Sequence, residues 1–522
     1  MILAAVLSSC SSMHPTVFGE GASPTPPPAT AGANLHSGLG GTGPARPNIV
    51  FILTDDLSWD LVRYMPHVLA LRRAGMTFTN YTVSDSLCCP SRSTIFTGKY
   101  PHDTGVFTNI SPDGGFAAFH RLHDESATFA TALHAAGYRT AMMGKYLNGY
   151  EPYFAYQPNG LPAPISPFAP TANYVPPGWS TWAGIGGGYR EYDFDVNQDH
   201  VIHHYGYAPQ DFGVDVLSQL GQQFMTASTQ AHQPFLLEIA PFAPHFPYAA
   251  AYRDRQSFPG LTAPRGPAFN RIPRHAPRWL AHHPHLSPSN IANIDKAFRM
   301  RVQAVQSVDR MIGDLRTQLR DSGQLANTVF MFSSDNGLHL GQYTLNPGKL
   351  TAFDTDIRVP LVVTGPGIHP GSVSPALVQN TDLAPTFEDI AGATTAGVDG
   401  SSILPLLRRA PGDPSVLWRS AALVEHHGLD FYGHENDPDF QSPAAGDPPT
   451  YDALRTATFT YVHYYNGQRE YYNRIRDPYE LDNIVASLRP SRIAALDRDL
   501  NALHTCHGSI ACWRAGQPRP TT

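Results

Sequence analysis

Two places in the chain put paired oxygen ligands directly after an apolar run. "PNIVFILTDD" ends in Asp55 and Asp56, and "NTVFMFSSDNG" carries Asp335 and Asn336 behind a similar run. Three carboxylates and an amide are the hard donors that Ca²⁺ or Mg²⁺ takes. Zinc calls for histidine or cysteine, which neither pair contains. Between them lies "SDSLCCPSRSTIFTGKYPHDTGV", with adjacent thiols at Cys88 and Cys89, then Pro90, Ser91 and Arg92. Taken alone, Cys88 admits several chemistries. It could be a thiolate nucleophile made more acidic by a helix N-terminus and Arg92. It could equally be an inert buried thiol or half of a strained vicinal redox pair. Each acidic pair alone also fits ordinary turn capping. The repetition of that pair after two buried strands is what points to a metal.

The surrounding elements give these residues a common address. The runs Ile49 to Leu53 and Val329 to Phe332 are continuous apolar segments of strand length, as in buried parallel strands. Functional groups of open α/β sheets gather beyond the carboxyl ends of such strands. Phe235 to Ala240 in "QPFLLEIAPFAPHFP" is a further strand leading into a polar loop, and Thr140 to Met143 follows a short helix stopped by Gly137. Val302, Val305, Val308, Ile312, Leu315 and Leu319 recur at three- and four-residue steps, which predicts a long helix from Ile291 to Leu319. "VPLVVTGPG" reads as a strand and "TDLAPTFEDIAG" as a helix. Strands and helices alternate to about residue 410, so the class is α/β with a large, mostly parallel central sheet flanked by helices. Beyond it, "TATFTYVHYYNGQREYYN" alternates about an Asn466-Gly467 turn, which predicts a small antiparallel C-terminal subdomain. The tracts "AHHPHLSP" (His282, His283, His285) and "VIHHYGY" (His203, His204) read as loop histidines. The "GIGGG" between Trp179 and Tyr192 reads as a substrate-facing loop.

The stretch C-C-P-S-R-S-T-I-F-T-G resembles the signature of the type I sulfatases, C-x-P-S-R followed by T-G. "RPNIVFILTDD", "GKYLNGY", "APHFP", "SSDNGLHLGQY", "DIRVPLVVTGPG" and "DPYELDN" resemble sulfatase segments in the same order, over about residues 47 to 485. They look most like the N-acetylglucosamine-6-sulfatase and extracellular heparan sulfatase branch. The resemblance implies an alkaline-phosphatase-like α/β sandwich and release of inorganic sulfate from a sulfated sugar, glycan or aryl sulfate. It also implies that a formylglycine-generating enzyme oxidises Cys88 to the aldehyde formylglycine, leaving Cys89 without a role. The hydrated aldehyde attacks sulfur with one hydroxyl, and the other lets sulfate be expelled, an exit that a serine sulfate ester lacks.

Further roles follow from the same resemblance. Asp55, Asp56, Asp335 and Asn336, with the modified residue 88, hold one Ca²⁺, with Mg²⁺ as the alternative. Arg92 and Lys145 hold the formylglycine, while Lys349 and His245 contact sulfate and the leaving oxygen. One departure stands out. Many arylsulfatases read G-K-W-H-L-G, with a histidine that helps eliminate sulfate, whereas "GKYLNGY" has Leu147 and then Asn148. His339 in "SDNGLHLGQY" is the candidate to compensate. Two other readings share the fold. One is a phosphonate monoester hydrolase or phosphodiesterase; the other is a decayed enzyme that only binds sulfated glycans. Intact metal residues, arginine and lysines argue against decay.

The composition narrows the partners. The chain has 522 residues and a formal net charge of −7, with 42% hydrophobic and 15% charged residues. That is globular, with no basic footprint for nucleic acid. "MILAAVLSSC" resembles a lipobox in which Cys10 would carry a lipid anchor, although a basic n-region is missing. "SPTPPPATAGA" and the residues after it form a Pro/Gly-rich tether. The expected organisation is a signal or lipobox over 1–12, a linker over 13–46, a catalytic domain over 47–415, an α+β subdomain over 416–505, and a Cys506/Cys512 loop with a disordered tail over 506–522. The expected location is secreted or on a bacterial cell surface, an oxidising compartment in which those two cysteines can pair.

Overall fold

The computed structural model describes residues 46–152, 173–394, 397–428 and 441–517. The lipobox with Cys10, nearly all of the linker and the last five residues lie outside these. β1 (Asn48–Thr54) is buried along its whole length. It is the centre of a ten-stranded sheet that also contains β2 (Met76–Phe78), β3 (Arg139–Lys145), β4 (Thr181–Ile185), β5 (Phe194–Gln198), β6 (Val201–Tyr205), β7 (Phe235–Ala240), β8 (Thr328–Ser334), β9 (Leu361–Thr364) and β10 (Ser372–Ser374). The strand order is β10-β2-β9-β8-β1-β7-β3-β4-β5-β6. The block β8-β1-β7-β3-β4 is parallel throughout. β9 joins it antiparallel on one side and β5 on the other.

The parallel block is apolar on both faces because helices cover both. Ile49, Phe51 and Leu53 of β1 pack with Ile95, Phe96, Phe129 and Phe387. Val50 and Ile52 point the other way, towards Leu217, Val305, Val308 and Ile312. Each such side chain, fully buried, contributes ~1.5–3 kcal/mol. On the first face lie α1 (Cys88–Thr97) and α4 (Leu383–Ala391); on the second lie α2 (Gly213–Gln230) and α3 (Pro288–Asp321). Ser287 caps α3 by accepting from the Asn290 N–H, so the helix starts a few residues before its apolar stripe. Among the described residues, no helix is long and apolar enough to cross a membrane.

The chain then builds an antiparallel sheet of β11 (Ala421–His426), β12 (Tyr451–Thr456), β13 (Phe459–Tyr464) and β14 (Arg469–Asn473). Gly467 takes a positive φ of 84° in the expected β13–β14 turn, a conformation glycine adopts without a Cβ penalty. α5 (Pro490–His504) packs on this sheet through Leu496, Leu500 and Leu503. Cys506 and Cys512 form a disulfide.

Two stretches read as loops are strands. The segment between Trp179 and Tyr192 holds β4, which pairs in parallel with β3, and His203 and His204 lie on the exposed edge strand β6. β4 is short and glycine-bearing, which hides its period, and an edge strand with polar alternation resembles a loop in composition.

Candidate active site

Four strands of the parallel block deliver residues to one place. Asp55 and Asp56 follow β1, Lys145 ends β3, His245 lies in the loop after β7, and Asp335 and Asn336 follow β8. Lys349 comes from the loop before β9. α1 brings Cys88 as its first residue, with Leu87 at the N-cap. Pro90 lies in the first turn, where its missing N–H leaves no helical bond broken. Gly98 closes the helix in the left-handed conformation (φ 70°). The Asn109 side chain accepts from the Cys89 N–H at 3.0 Å and so serves as the cap that Leu87 cannot. All ten residues of α1 are buried.

The side chains form a closed ionic network. Lys145 Nζ lies 2.6 Å from Asp55 Oδ2. Lys349 Nζ lies 2.9 Å from both Asp56 Oδ1 and Cys88 Sγ. Cys88 Sγ is 3.3 Å from Asp55 Oδ1. Arg92 Nε donates to Asp335 Oδ2 at 2.8 Å, and its Nη1 to the Lys145 carbonyl at 2.7 Å. Asn336 Nδ2 donates to Asp56 Oδ1 at 2.6 Å. His245 Nε2 is 3.5 Å from Asp56 Oδ2, while its Nδ1 faces the Phe246 carbonyl at 2.8 Å. Asp56 holds a positive φ of 63°, and the buried Arg301 of α3 donates to its carbonyl. A left-handed aspartate is costly unless its surroundings fix it, and Arg301 is such a fixture.

Burial strengthens these pairs and displaces their protonation. Burial alone raises the Asp55 carboxyl, but Lys145 and then His245, Arg92 and Lys349 overcome it and hold it well below the usual range. Burial, then Asp55, pushes the Cys88 thiol well up, so an unmodified Cys88 is a poor thiolate. Burial opposes the charge on Lys145, but Asp55 holds the ammonium protonated. Burial and Asp55 push Asp335 up to about 6 against the pull of Arg92.

The donor set fits a hard cation. Candidate ligand atoms of Asp55, Asp56, Cys88 and His245 lie within 4.8 Å of one another. Asn336 Oδ1 is buried and has no hydrogen-bond partner among the described residues. An orphaned carbonyl oxygen beside converging carboxylates is what an oxygen-coordinated cation satisfies.

His339 stands apart from this network. Its Nδ1 is 3.0 Å from Asp356, its Nε2 is 2.8 Å from the Ala445 carbonyl, and its backbone bridges to Gly348. The residue therefore anchors the loop that carries Lys349. Leu147 is buried. Asn148 donates to the Tyr189 hydroxyl at 3.3 Å. Tyr189 is a site residue that sequence reasoning missed. Its ring lies 5.1 Å from Lys145 Nζ and 4.6 Å from the His245 ring. Only the glycine run before it hinted that backbone there approaches something closely.

A profile of the sulfatase family matches residues 47–393. The chain belongs to the sulfatase family. It is a hydrolase of sulfuric esters. Residues 348–505 match the profile described as N-sulphoglucosamine sulphohydrolase, C-terminal. Over 495 residues this sulfatase is 34% identical to human N-acetylglucosamine-6-sulfatase, covering 89% of this chain and 86% of that protein. It is 35% identical over 392 residues to the Drosophila melanogaster protein named extracellular sulfatase SULF-1 homolog, covering 73% of this chain and 33% of the relative. Among solved structures, one in complex with its substrate D-glucosamine-2-N,6-O-disulfate superposes with a TM-score of 0.68 at 23% identity, over 91% of this chain and 100% of that one. The phosphonate monoester hydrolase of Agrobacterium radiobacter superposes with a TM-score of 0.65 at 21% identity, over 88% and 96%. These two show the shared fold.

Proposed function

We propose that this sulfatase removes sulfate from a 6-O-sulfated glucosamine-type sugar, using formylglycine made from Cys88 and one bound Ca²⁺. The observation that carries the reading is the position of Cys88: first residue of a buried helix, 2.9 Å from Lys349 Nζ and 3.3 Å from Asp55. The cysteine Sγ stands in for the oxygens of the modified side chain. When present, formylglycine supplies the attacking hydroxyl, and the cation supplies Lewis-acid charge neutralisation.

The chain's own residues do the rest. Asp55, Asp56, Asp335 and Asn336 offer the cation hard oxygens. The α1 N-terminus and Arg92 hold residue 88 in a positive field. Lys349 and His245 face the space where sulfate oxygens and the leaving oxygen would lie, and can neutralise or protonate them. Lys145 keeps Asp55 ionised. His339 positions Lys349, and Asn148, which donates to the Tyr189 hydroxyl, follows Leu147, the position at which many arylsulfatases carry a histidine. The sugar preference is supported by the likeness to N-acetylglucosamine-6-sulfatases, 34% identical over most of both chains.

Export fits the same proposal. The Cys506–Cys512 disulfide belongs to oxidising compartments, and two relatives are named as homologs of an extracellular sulfatase. Attachment through a lipid on Cys10 is part of this reading; substitution of Cys10 should release the protein from membranes.

Mass spectrometry of the tryptic peptide from Ala74 to Arg92, after expression with a formylglycine-generating enzyme, tests the nucleophile. Conversion of Cys88 lowers the peptide mass by about 18 Da. The converted protein should then release sulfate from N-acetylglucosamine 6-sulfate faster than it cleaves a phosphonate monoester. Intact thiols in an active preparation, or preferred phosphonate cleavage, would overturn the proposal.

A further inference from the structure

Residues from three elements meet near the Cys506–Cys512 loop. His102 lies in the turn that follows α1, Glu425 is on β11, and His504 ends α5. Their candidate ligand atoms lie within 4.8 Å of one another. His102 Nδ1 is 2.9 Å from the Glu425 carboxylate, and His102 Nε2 is 2.9 Å from the Cys506 carbonyl. His504 Nδ1 is 3.2 Å from Glu425 Oε1 and 3.5 Å from Asp452 Oδ1. Glu425 is 1% exposed, so water does not offset its charge.

A neutral imidazole has one N–H and one lone pair. His102 faces an acceptor at each nitrogen. With Nε2–H donating to the Cys506 carbonyl, Nδ1 turns its lone pair towards a buried carboxylate. His504 turns Nδ1 towards two carboxylates. At His102 something positive must lie between, either an extra proton on the ring or a cation, and His504 can meet its carboxylates with one N–H or through the same cation. A histidine whose second N–H donates to a backbone carbonyl is the usual arrangement at metal centres, where that bond fixes tautomer and ring orientation. The spacing also fits. Ligands ~2.0–2.2 Å from a tetrahedral zinc ion lie roughly 3.3–3.5 Å apart. The His504 separations of 3.2 and 3.5 Å come near this, and His102 Nδ1, 2.9 Å from Glu425, has to draw back by a few tenths of an ångström to admit the ion.

We propose that His102, His504 and Glu425, with Asp452 beside them, form a second metal site for a dication of the zinc class. The site is chemically distinct from the oxygen-rich site at the strand ends, because imidazole nitrogens favour zinc over calcium. One dication balances Glu425 and Asp452 while both imidazoles stay neutral. It clamps the turn after the Cys88 helix to the small sheet and the C-terminal helix, a structural role reinforcing the adjacent disulfide.

The test uses the full-length protein, stripped with a chelator and titrated with Co²⁺ and then Zn²⁺. Wild type and Asp335→Asn should each bind one equivalent with the intense visible spectrum of tetrahedral cobalt, displaced by zinc. His504→Gln and His102→Gln, checked for folding by circular dichroism, should each lose that spectrum. Zinc should raise the Tm of stripped wild type and leave that of His504→Gln unchanged. The proposal fails if folded wild type gives no tetrahedral spectrum, since protons then do the work. It also fails if the spectrum survives both histidine substitutions, or disappears in Asp335→Asn, which would put the ion at the strand ends.

Discussion

Lys145 Nζ and Asp55 Oδ2 form a 2.6 Å ion pair in which both side chains are almost wholly buried. Removing one partner of such a pair leaves a charge without compensation, at a cost of ~3–5 kcal/mol. Lys145→Ala should therefore unfold at lower temperature, most of all in chelator, where no cation shares Asp55. Adding calcium should recover part of the loss. Sulfate release should fall by at least ~10²-fold, the effect of removing one preorganised electrostatic group. Differential scanning calorimetry with and without calcium checks the first part and a sulfate-release assay the second. An equal Tm loss in both buffers would contradict a shared role for Asp55.

Tyr189 touches two site residues at once, Lys145 and His245. A ring facing an ammonium group contributes ~0.5–2 kcal/mol. Tyr189→Ala should lower kcat by a few-fold to about 30-fold, with little change in Tm. Tyr189→Phe keeps the ring and loses only the hydroxyl that accepts from Asn148, so it should fall between the two. Steady-state kinetics of both variants decides; identical defects would mean that the hydroxyl, not the ring, matters.

The strands that carry the site were legible because burial on both faces leaves a continuous apolar run ending in polar residues. β1, β7 and β8 all show it, and so do the residues that follow them. The Cys88 helix was legible from its motif alone, since its residues are buried on all sides and carry no amphipathic period. What the sequence hid was long-range geometry. The strand β4 within a glycine-rich stretch, the ring of Tyr189 over Lys145, and the pairing of His339 with Asp356 each depend on contacts between distant segments. The cluster of His102, Glu425 and His504 spans about four hundred residues and has no local signature.

Cys88→Ala should abolish sulfate release while leaving the fold intact. The Cys88 side chain is small and fully buried, so truncation removes one sulfur atom from a network otherwise held by Arg92–Asp335, Lys145–Asp55 and Lys349–Asp56. Far-ultraviolet circular dichroism should be unchanged. Near-wild-type sulfate release by this variant would sink the role of residue 88.

Glu238 lies in the middle of β7, and both of its carboxylate oxygens are buried without a hydrogen-bond partner among the described residues. Burial pushes its pKa from the usual 4.5 to about 8, with Arg92 pulling weakly the other way. The folded protein therefore keeps this proton up to about pH 8, whereas the unfolded chain loses it near 4.5. Between those values the unfolded state binds fewer protons, so this group makes stability fall as pH rises, and its effect is constant outside that window. Glu238→Gln has nearly the same shape and no charge to lose. The variant should match wild type at the acid end of the window and exceed it increasingly towards the alkaline end, by up to roughly 5 kcal/mol. Urea unfolding of both proteins across that range isolates the effect, because every other titrating group cancels in the difference. A gap that stays flat with pH would mean that Glu238 is ionised in the folded protein and has found a partner.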